Sequence, residues 1–453
     1  MIKCRKCSAE NEITDGVCYK CGAELPAPYE VADEIYDGFD DDDIGNPVQN
    51  STLCNASLQG GAISIFAGAE IHMLGEVIKE GSIVVVGDVI AAIYDHKLEP
   101  ESNGTAYIDC SNTIIVPGFI DSHMHGMHGI DVNKASAEKF RDLSILAAKY
   151  GITTLVPTTV ACLPYELEEV VNNLKTATER GLLGAKLLGL HLESNFINPK
   201  TKGAQPEIAI FLHSSDKGFA IKTLLDSNKE FIKIVTLAPE MEGNLDLISW
   251  LLERDIKVSI GHTDATYEEA TAGIDAGATR VTHLFNAMSA LHHRKPNVVG
   301  TAMSDERVMA EIVGDGVHVH PAVMKAAINA KGVDRMLVIS DSLPCAYLPD
   351  GQEVEFAGHI IHVEGGVALM PDGNIAGSIT SQDKILKLLV EKVGLELNEA
   401  VYMTSTAHAV SLDLADTGQI AEGMKADLAI LDHDLNVRAT VIEGKLIYSA
   451  TEN

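Results

Sequence analysis

The sequence predicts an α/β chain: a TIM (β/α)8 barrel, a small composite β-sandwich drawn from both flanks, and a zinc ribbon at the N-terminus. Three observations predict it. Eight short apolar strand candidates recur between residues 113 and 342, helical stretches fill most of the gaps, and polar residues of metal-binding type close those strands at one end. Segments patterned as short strands flank this middle on both sides, and four cysteines in two pairs precede everything.

At 453 residues the chain exceeds one minimal domain, and a hydrophobic fraction of 46% suffices for a core. The formal net charge of −31, from 65 acidic against 34 basic residues, argues against nucleic acid or an anionic membrane surface as partner. No apolar run reaches the roughly 18 residues that span a bilayer. The N-terminal MIKCRKC offers no signal-peptide core, so a cytoplasmic location is expected.

Taken in order, residues 1–25 hold Cys4, Cys7, Cys18 and Cys21 as C-x2-C-x10-C-x2-C. Each C-x2-C turn presents two sulfurs to one ion, which suits a structural zinc, and so short a segment folds on its metal. Cys54, Cys110, Cys162 and Cys345 are scattered singly. Such a ribbon commonly docks a protein partner, which the sequence does not name. Residues 26–50 carry Pro26, Pro28, Pro47 and an acidic run at 40–43, and read as a charged linker. Residues 51–115, with AISIFAGAEI, GSIVVVGDVIAAIY and TAYIDC, are expected to be the first part of the sandwich. Residues 346–453 are expected to be the second part together with the terminal barrel helices, GHIIHVEGGVALM and ADLAILDHDLNVRATVIEGKLIY lying on either side of two helical stretches.

Residues 116–345 form the expected barrel. Its first strand lies in TIIVPGFIDSHMHGMHG (113–129), and the others at 152–160, 186–194, 233–240, 257–265, 280–288, 309–319 and 336–342. His123 and His125, at i and i+2 on an extended backbone, point to one face. Glu193 ends the third strand, His262 the fifth, His283 the sixth, His318 the seventh and Asp341 the eighth, all where a barrel places its chemistry. Imidazole and carboxylate ligands suit Zn or Fe(II): Glu193, His262 and His283 make one site with an open position, and His123 with His125 completes a second ion nearby. Such an ion lowers the pKa of its water and polarises a carbonyl, and Asp341 is then the proton carrier. The chemistry expected is metal-assisted hydrolysis of an amide or ester.

Neighbouring residues take plainer readings. His128, His292, His293 and His320 read as loop residues or supports behind the ligands rather than ligands, His191 as a packed barrel residue, Cys345 as a small buried hydrophobe and Trp250 as core. Asp264 either orients His262 or caps a helix.

The set PGFIDSHMHG, GLHLESNFINPKTKGAQP, IGHTDAT, VTHLFNAMSALHHRKP, GDGVHVHP and ISDS resembles the amidohydrolase superfamily and, within it, the N-acetylglucosamine-6-phosphate deacetylase family. The resemblance runs from about residue 63 to the C-terminus. It implies a TIM barrel with a composite β-sandwich, metal ligands at Glu193, His262 and His283, and a catalytic acid/base at Asp341. A second ion would sit on His123 and His125. Sugar-phosphate contacts would fall on Ala204, Asn286, Ala287, Arg294 and His318, with a backbone contact near Ala376 and Gly377. Arg294 suits a phosphate clamp and, by the resemblance, is donated across a homodimer. Three departures stand out: Ser194-Asn195 where the family has Gly-Pro, Gln205 where it often has a histidine at the acetyl carbonyl, and SLPCAYL after Asp341. Other readings are an N-acetylgalactosamine-6-phosphate deacetylase, a cyclic-amide hydrolase, or a non-enzymatic scaffold recruited through its ribbon.

Overall fold

The apolar runs of the middle segment are buried along their whole length, as strands of a parallel sheet covered on both faces must be. The computed structural model describes residues 63–100 and 105–450, and the backbone of residues 2–3 and 10–11. Eight of its strands are parallel neighbours in one sheet: β1 (Phe119–Met124), β2 (Ile152–Thr159), β3 (Leu190–Glu193), β4 (Ile232–Leu237), β5 (Lys257–Ile260), β6 (Arg280–Val281), β7 (Met309–Val313) and β8 (Met336–Ile339). The short strand Lys186–Leu187 also lies beside β2. Register runs from Phe119↔Ile152 round to Ile312↔Val338. β8 and β1 then meet through the Asp341 N–H, which donates to the His123 carbonyl at 3.0 Å and brings the ring close to closure.

A helix follows each strand: α1 (Ala137–Ala148), α2 (Pro164–Glu179), α3 (Asp216–Ser227), α4 (Asn244–Leu252), α5 (Tyr267–Asp275), α6 (Asn297–Ser304), α7 (Pro321–Lys331) and α8 (Gln382–Leu388). Their starts are written in the sequence. Ser136 and Ser215 accept from backbone N–H groups three residues on, and Thr266 with Glu269 forms a capping box. Beyond α8 the helical segments of 397–411 pack on the far end of the barrel, where Ala407 meets Met309 and Leu337.

The flanks do join. Leu428–Leu431 pairs antiparallel with Ile114–Pro117, which pairs in turn with Ile63–Met73, so residues from both sides of the barrel share one eight-stranded sheet with a core of its own. Two expectations are corrected here. The apolar run at 114–124 is two strands, not one: Ile114–Pro117 belongs to the flank sheet, and the chain enters the barrel only at Phe119. Gly118 sits at the break because a Cβ there would lie 2.2 Å from Thr153 Cγ2. Nor do all the strands expected for the sandwich in 346–453 join the flank sheet. Glu353–Phe356, His359–Glu364, Val367–Leu369 and Ile375–Gly377 form a separate antiparallel sheet, because Phe356, Ile361, Val363 and Ala368 find their apolar partners in Leu343, Cys345 and Val160.

The chain divides into two compact units, Met1–Gln49 and Asn50–Asn453. In the first, Ile2–Lys3 pairs antiparallel with Glu10–Asn11. The ribbon cysteines Cys4, Cys7, Cys18 and Cys21 and the linker at 26–50 lie outside the described residues. Among the described residues no helix is long and apolar enough to cross a membrane.

Candidate active site

The strand ends supply the side chains, and a backbone device aims three of them. His262, His283 and Asp341, each two residues past its strand, have φ of 47°, 28° and 50°. This left-handed conformation costs a non-glycine residue about 1–2 kcal/mol, and it turns the chain sharply where a strand ends. Each of these residues is buried.

Six side chains converge. His262 Nε2 lies 2.7 Å and His283 Nε2 2.8 Å from Glu193 Oε1, and the two nitrogens are 3.2 Å apart. His125 Nε2 is 3.4 Å from both Glu193 Oε2 and Asp341 Oδ1. His123 Nε2 stands 3.7 Å from Glu193 Oε1 and 3.5 Å from Asp341 Oδ1.

The tautomers follow from the opposite side of each ring. His262 Nδ1 faces the Thr201 carbonyl, His283 Nδ1 the Asn286 carbonyl, His125 Nδ1 the Thr158 carbonyl and His123 Nδ1 the Glu311 carboxylate, at 2.9–3.1 Å. None of these acceptors has a proton to give, so each Nδ1 carries a hydrogen and each Nε2 is the atom turned to the cluster, able to give its lone pair to a metal. Four imidazole Nε2 atoms and two carboxylates pointed at one small volume call for positive charge among them, as protons on the rings or as a metal ion in their place. His123 Nε2, buried with no hydrogen-bond partner, makes the same point. The donor set fits a divalent metal: Glu193, His262 and His283 could hold one ion, and His123, His125 and Glu193 a second.

Electrostatics agree. Burial opposes charge on Glu193, but the facing histidines outweigh it and hold the carboxyl well below its usual range. Asp341 is likewise lowered against its burial by His123, His125 and His283. Burial lowers His125, yet Asp341 and Glu193 overcome it and push the imidazole up to about 10, the proton standing where a metal would bind.

Other residues singled out in the sequence distribute unevenly. Gln205 is buried and fixed at both ends: its Oε1 accepts from the Ala161 N–H at 2.7 Å, and its Nε2 donates to Glu193 Oε2. It therefore buttresses an acid of the cluster. His318 Nδ1 pairs with Asp315 Oδ2 at 2.7 Å and its pKa is raised against burial by Asp315 and, more weakly, by Asp341. Gly377 runs tightly beside the acid's backbone, since a Cβ there would meet Asp341 O at 3.2 Å and Leu343 side-chain atoms at 2.7 Å; the Ser378 N–H after it donates to the Asp341 carbonyl at 2.9 Å. Ala204, Asn286, Ala287 and Ala376 are half-buried. The Ala287 carbonyl accepts from the Thr263 N–H, which ties the loop after His283 to the loop after His262. Arg294 is exposed, hydrogen-bonds the His293 ring at 2.8 Å and has no carboxylate partner among the described residues.

The departures acquire structural roles. Ser194 Oγ donates to the Thr236 carbonyl at 2.5 Å, and Asn195 Nδ2 to those of Cys162 and Ala209 at 2.6 and 2.8 Å. Both side chains turn into the framework and pin the loop after β3. Ser342, Pro344 and Ala346, in the run after Asp341, accept through their carbonyls from the N–H groups of His125, Gly126, Gly129 and His128, clasping the loop after β1.

Several plain readings are corrected and others stand. The helix cap is Thr266, while Asp264 is exposed, gives its N–H to Glu240 and turns its carboxylate to Lys200 Nζ at 3.8 Å, so it neither caps the helix nor holds His262. Trp250 is half-buried beneath Arg254, whose guanidinium carbon is 3.8 Å from the ring centroid. His191 is a packed barrel residue, bonded at both nitrogens, to the Ser122 carbonyl and Thr236 Oγ1. Burial pushes the Cys345 thiol up to about 11, as suits an inert hydrophobe. Sequence reasoning missed Glu311, which takes the His123 proton side, and Arg280, which takes the other Glu311 oxygen at 2.7 Å. The available signal was a charge inside each of two successive apolar strands.

Residues 114–447 match the amidohydrolase family over most of the chain. The chain belongs to the amidohydrolase family. Among its relatives, an N-acetylglucosamine-6-phosphate deacetylase of Bacillus subtilis is 35% identical over 83% of this chain and 95% of that one. An N-acetylgalactosamine-6-phosphate deacetylase of Escherichia coli O157:H7 is 32% identical over 74% and 87%. A mutant N-acetyl-D-glucosamine-6-phosphate deacetylase from Mycobacterium smegmatis, solved in complex with N-acetyl-D-glucosamine-6-phosphate, superposes with a TM-score of 0.78 at 30% identity, covering 86% of this chain and all of that one.

Proposed function

We infer that this amidohydrolase is an N-acetylglucosamine-6-phosphate deacetylase, hydrolysing the acetamide to acetate and glucosamine 6-phosphate. The convergence of four imidazole lone pairs on Glu193 and Asp341 carries the reading. It is supported by relatives of that name at 30–35% identity over most of the chain.

A divalent ion, Zn or Fe(II), held by Glu193, His262 and His283, with His123 and His125 offering a second position, would supply an acidified water and an electrophile for the acetyl oxygen. Asp341 takes the proton of the attacking water and returns it to the departing amine. Its lowered pKa keeps it ionised at neutral pH, as that base must be. Gln205 keeps Glu193 turned toward His262 and His283. His318, steadied by Asp315, faces the sugar as a donor. Ala204, the Asn286-Ala287 pair and the Ala376-Gly377 backbone line the sugar. Arg294 clamps the phosphate bidentately. Its exposure and lack of an acidic partner among the described residues suit an arginine offered to the mouth of a second subunit in a homodimer. The cysteines Cys4, Cys7, Cys18 and Cys21 hold a structural zinc for docking a protein, and the enzyme is cytoplasmic.

Chelation tests the metal requirement. Stripped protein should release no acetate from the sugar phosphate, and Zn or Fe(II) should restore release; full turnover by metal-free protein would contradict the reading.

A further inference from the structure

Beneath the converging side chains lies an ion pair with no exposure at all. Arg280 and Glu311 are both 0% exposed, and Arg280 is among the largest fully buried side chains of the molecule. A buried pair of this kind is usually no more stabilising than apolar residues of the same volume, so its presence on adjacent barrel strands calls for another cause.

The bonding supplies one. Glu311 is forked: Oε1 accepts from Arg280 Nη2 at 2.7 Å, and Oε2 from His123 Nδ1 at 3.0 Å. A pair built for its own strength would be bidentate. Here the guanidinium gives one further hydrogen each to Ser122 Oγ and Ser411 Oγ, its Nε–H has no partner among the described residues, and the second carboxylate oxygen goes to the imidazole instead. Oε2 also lies 3.4 Å from the His283 N–H, so one acid touches residues from both candidate ion positions.

Glu311 is not itself a ligand. His123, His191 and Glu311 lie close enough together to hold an ion, but both His191 nitrogens are spent on Ser122 O and Thr236 Oγ1, and the Arg280 cation already occupies the carboxylate.

Among the four converging histidines, three donate Nδ1–H to backbone carbonyls, and only His123 donates to a carboxylate. A carboxylate behind an imidazole fixes its tautomer and raises its basicity as a ligand. We propose that Glu311, held in place by Arg280, is a positioning residue that commits His123 to the second metal position. Metal occupancy at the His123–His125 side then depends on an ion pair that touches neither metal nor substrate.

This inference rests on the metal-dependent reading above, and metal counting separates the two, because turnover on a sugar phosphate is not needed to read it. Ions per chain and affinity are measured with Co(II) on the full-length protein by mass spectrometry, visible spectrum and chelator competition. The ribbon cysteines are common to all variants and cancel. Glu311→Gln should weaken one barrel ion roughly 10- to 100-fold, losing it at limiting metal with its part of the spectrum, and leave the ion on Glu193, His262 and His283 in place. His123→Ala should lose the same ion, and adding Glu311→Gln to it should cost nothing further. Because Glu311→Gln strands Arg280, the pair Glu311→Gln with Arg280→Met serves as the neutral counterpart and should show the same loss in folded protein. The proposal is overturned if either variant folds and takes up as many ions as the parent with equal affinity, or if the parent and His123→Ala bind equal numbers. It is overturned too if both Glu311 variants fail to fold in metal while His123→Ala folds, which would assign the pair to the core alone.

Discussion

The metal cluster and the loop that carries Arg294 are built differently. On the side of Glu193, His262, His283, His123, His125 and Asp341 every side chain is buried, and each histidine is held from behind by an acceptor. On the side of Arg294 the loop at 290–295 is exposed, and the guanidinium leans on a neighbouring imidazole. The half that breaks the bond is organised before substrate arrives, as electrostatic catalysis demands. The part proposed to grip the phosphate is left open, to be completed by substrate and, in the proposed homodimer, by a second subunit.

Breaking the closed half should have the largest effects. Asp341→Asn is expected to lower kcat by roughly 10²- to 10⁴-fold with metal content unchanged; loss of metal in step with activity would remove Asp341 from the role of proton carrier. Gln205→Ala frees Glu193 Oε2 and should cost about 10- to 100-fold in metal affinity or activity, measured by chelator competition and initial rates. In the open half, Arg294→Ala should raise KM for the phosphorylated sugar about tenfold or more, the worth of charge-assisted bonds of roughly 1.5–3 kcal/mol. Equal effects on phosphorylated and unphosphorylated sugars would refute the clamp.

The framework sharpens the contrast. Burial lowers His408 to about 4 while Ser122 and the Val338 carbonyl hold its nitrogens. Its folded pKa lies below the ordinary value of 6.5, so the unfolded chain takes up the proton first. Stability should therefore fall as pH drops from about 6.5 toward 4, by on the order of 3 kcal/mol from this group, readable as a falling Tm. Asn195→Ala, which strands two carbonyls at the loop after β3, should cost about 1–3 kcal/mol of stability.

The barrel was legible because buried parallel strands leave unbroken apolar runs, and its chemistry because polar residues must interrupt those runs where they end. His123, His125, Glu193, His262, His283 and Asp341 were all found in this way. What escaped were partners set by tertiary contact. Nothing local tells that the run at 114–124 breaks between two sheets at Gly118, or that the strands at 353–377 choose Leu343 and Cys345 over the flank sheet. Glu311 and Arg280 were in plain view as charges within strands, but each makes sense only beside the other and beside His123. Ser194 and Asn195 stand out in the sequence as departures beside Glu193, yet their side chains bond the scaffold, while Gln205 bonds both the Ala161 backbone and Glu193, a distinction that depends on rotamer rather than residue type.

The most direct measurement is acetate release by metal-replete protein from N-acetylglucosamine 6-phosphate, run beside N-acetylgalactosamine 6-phosphate and unphosphorylated N-acetylglucosamine. Release from the phosphorylated sugars alone, fastest from the glucosamine derivative, is the expected result. Faster release from the galactosamine epimer would move the substrate to that sugar. No release from any of the three by protein carrying its metal would contradict the deacetylase reading altogether.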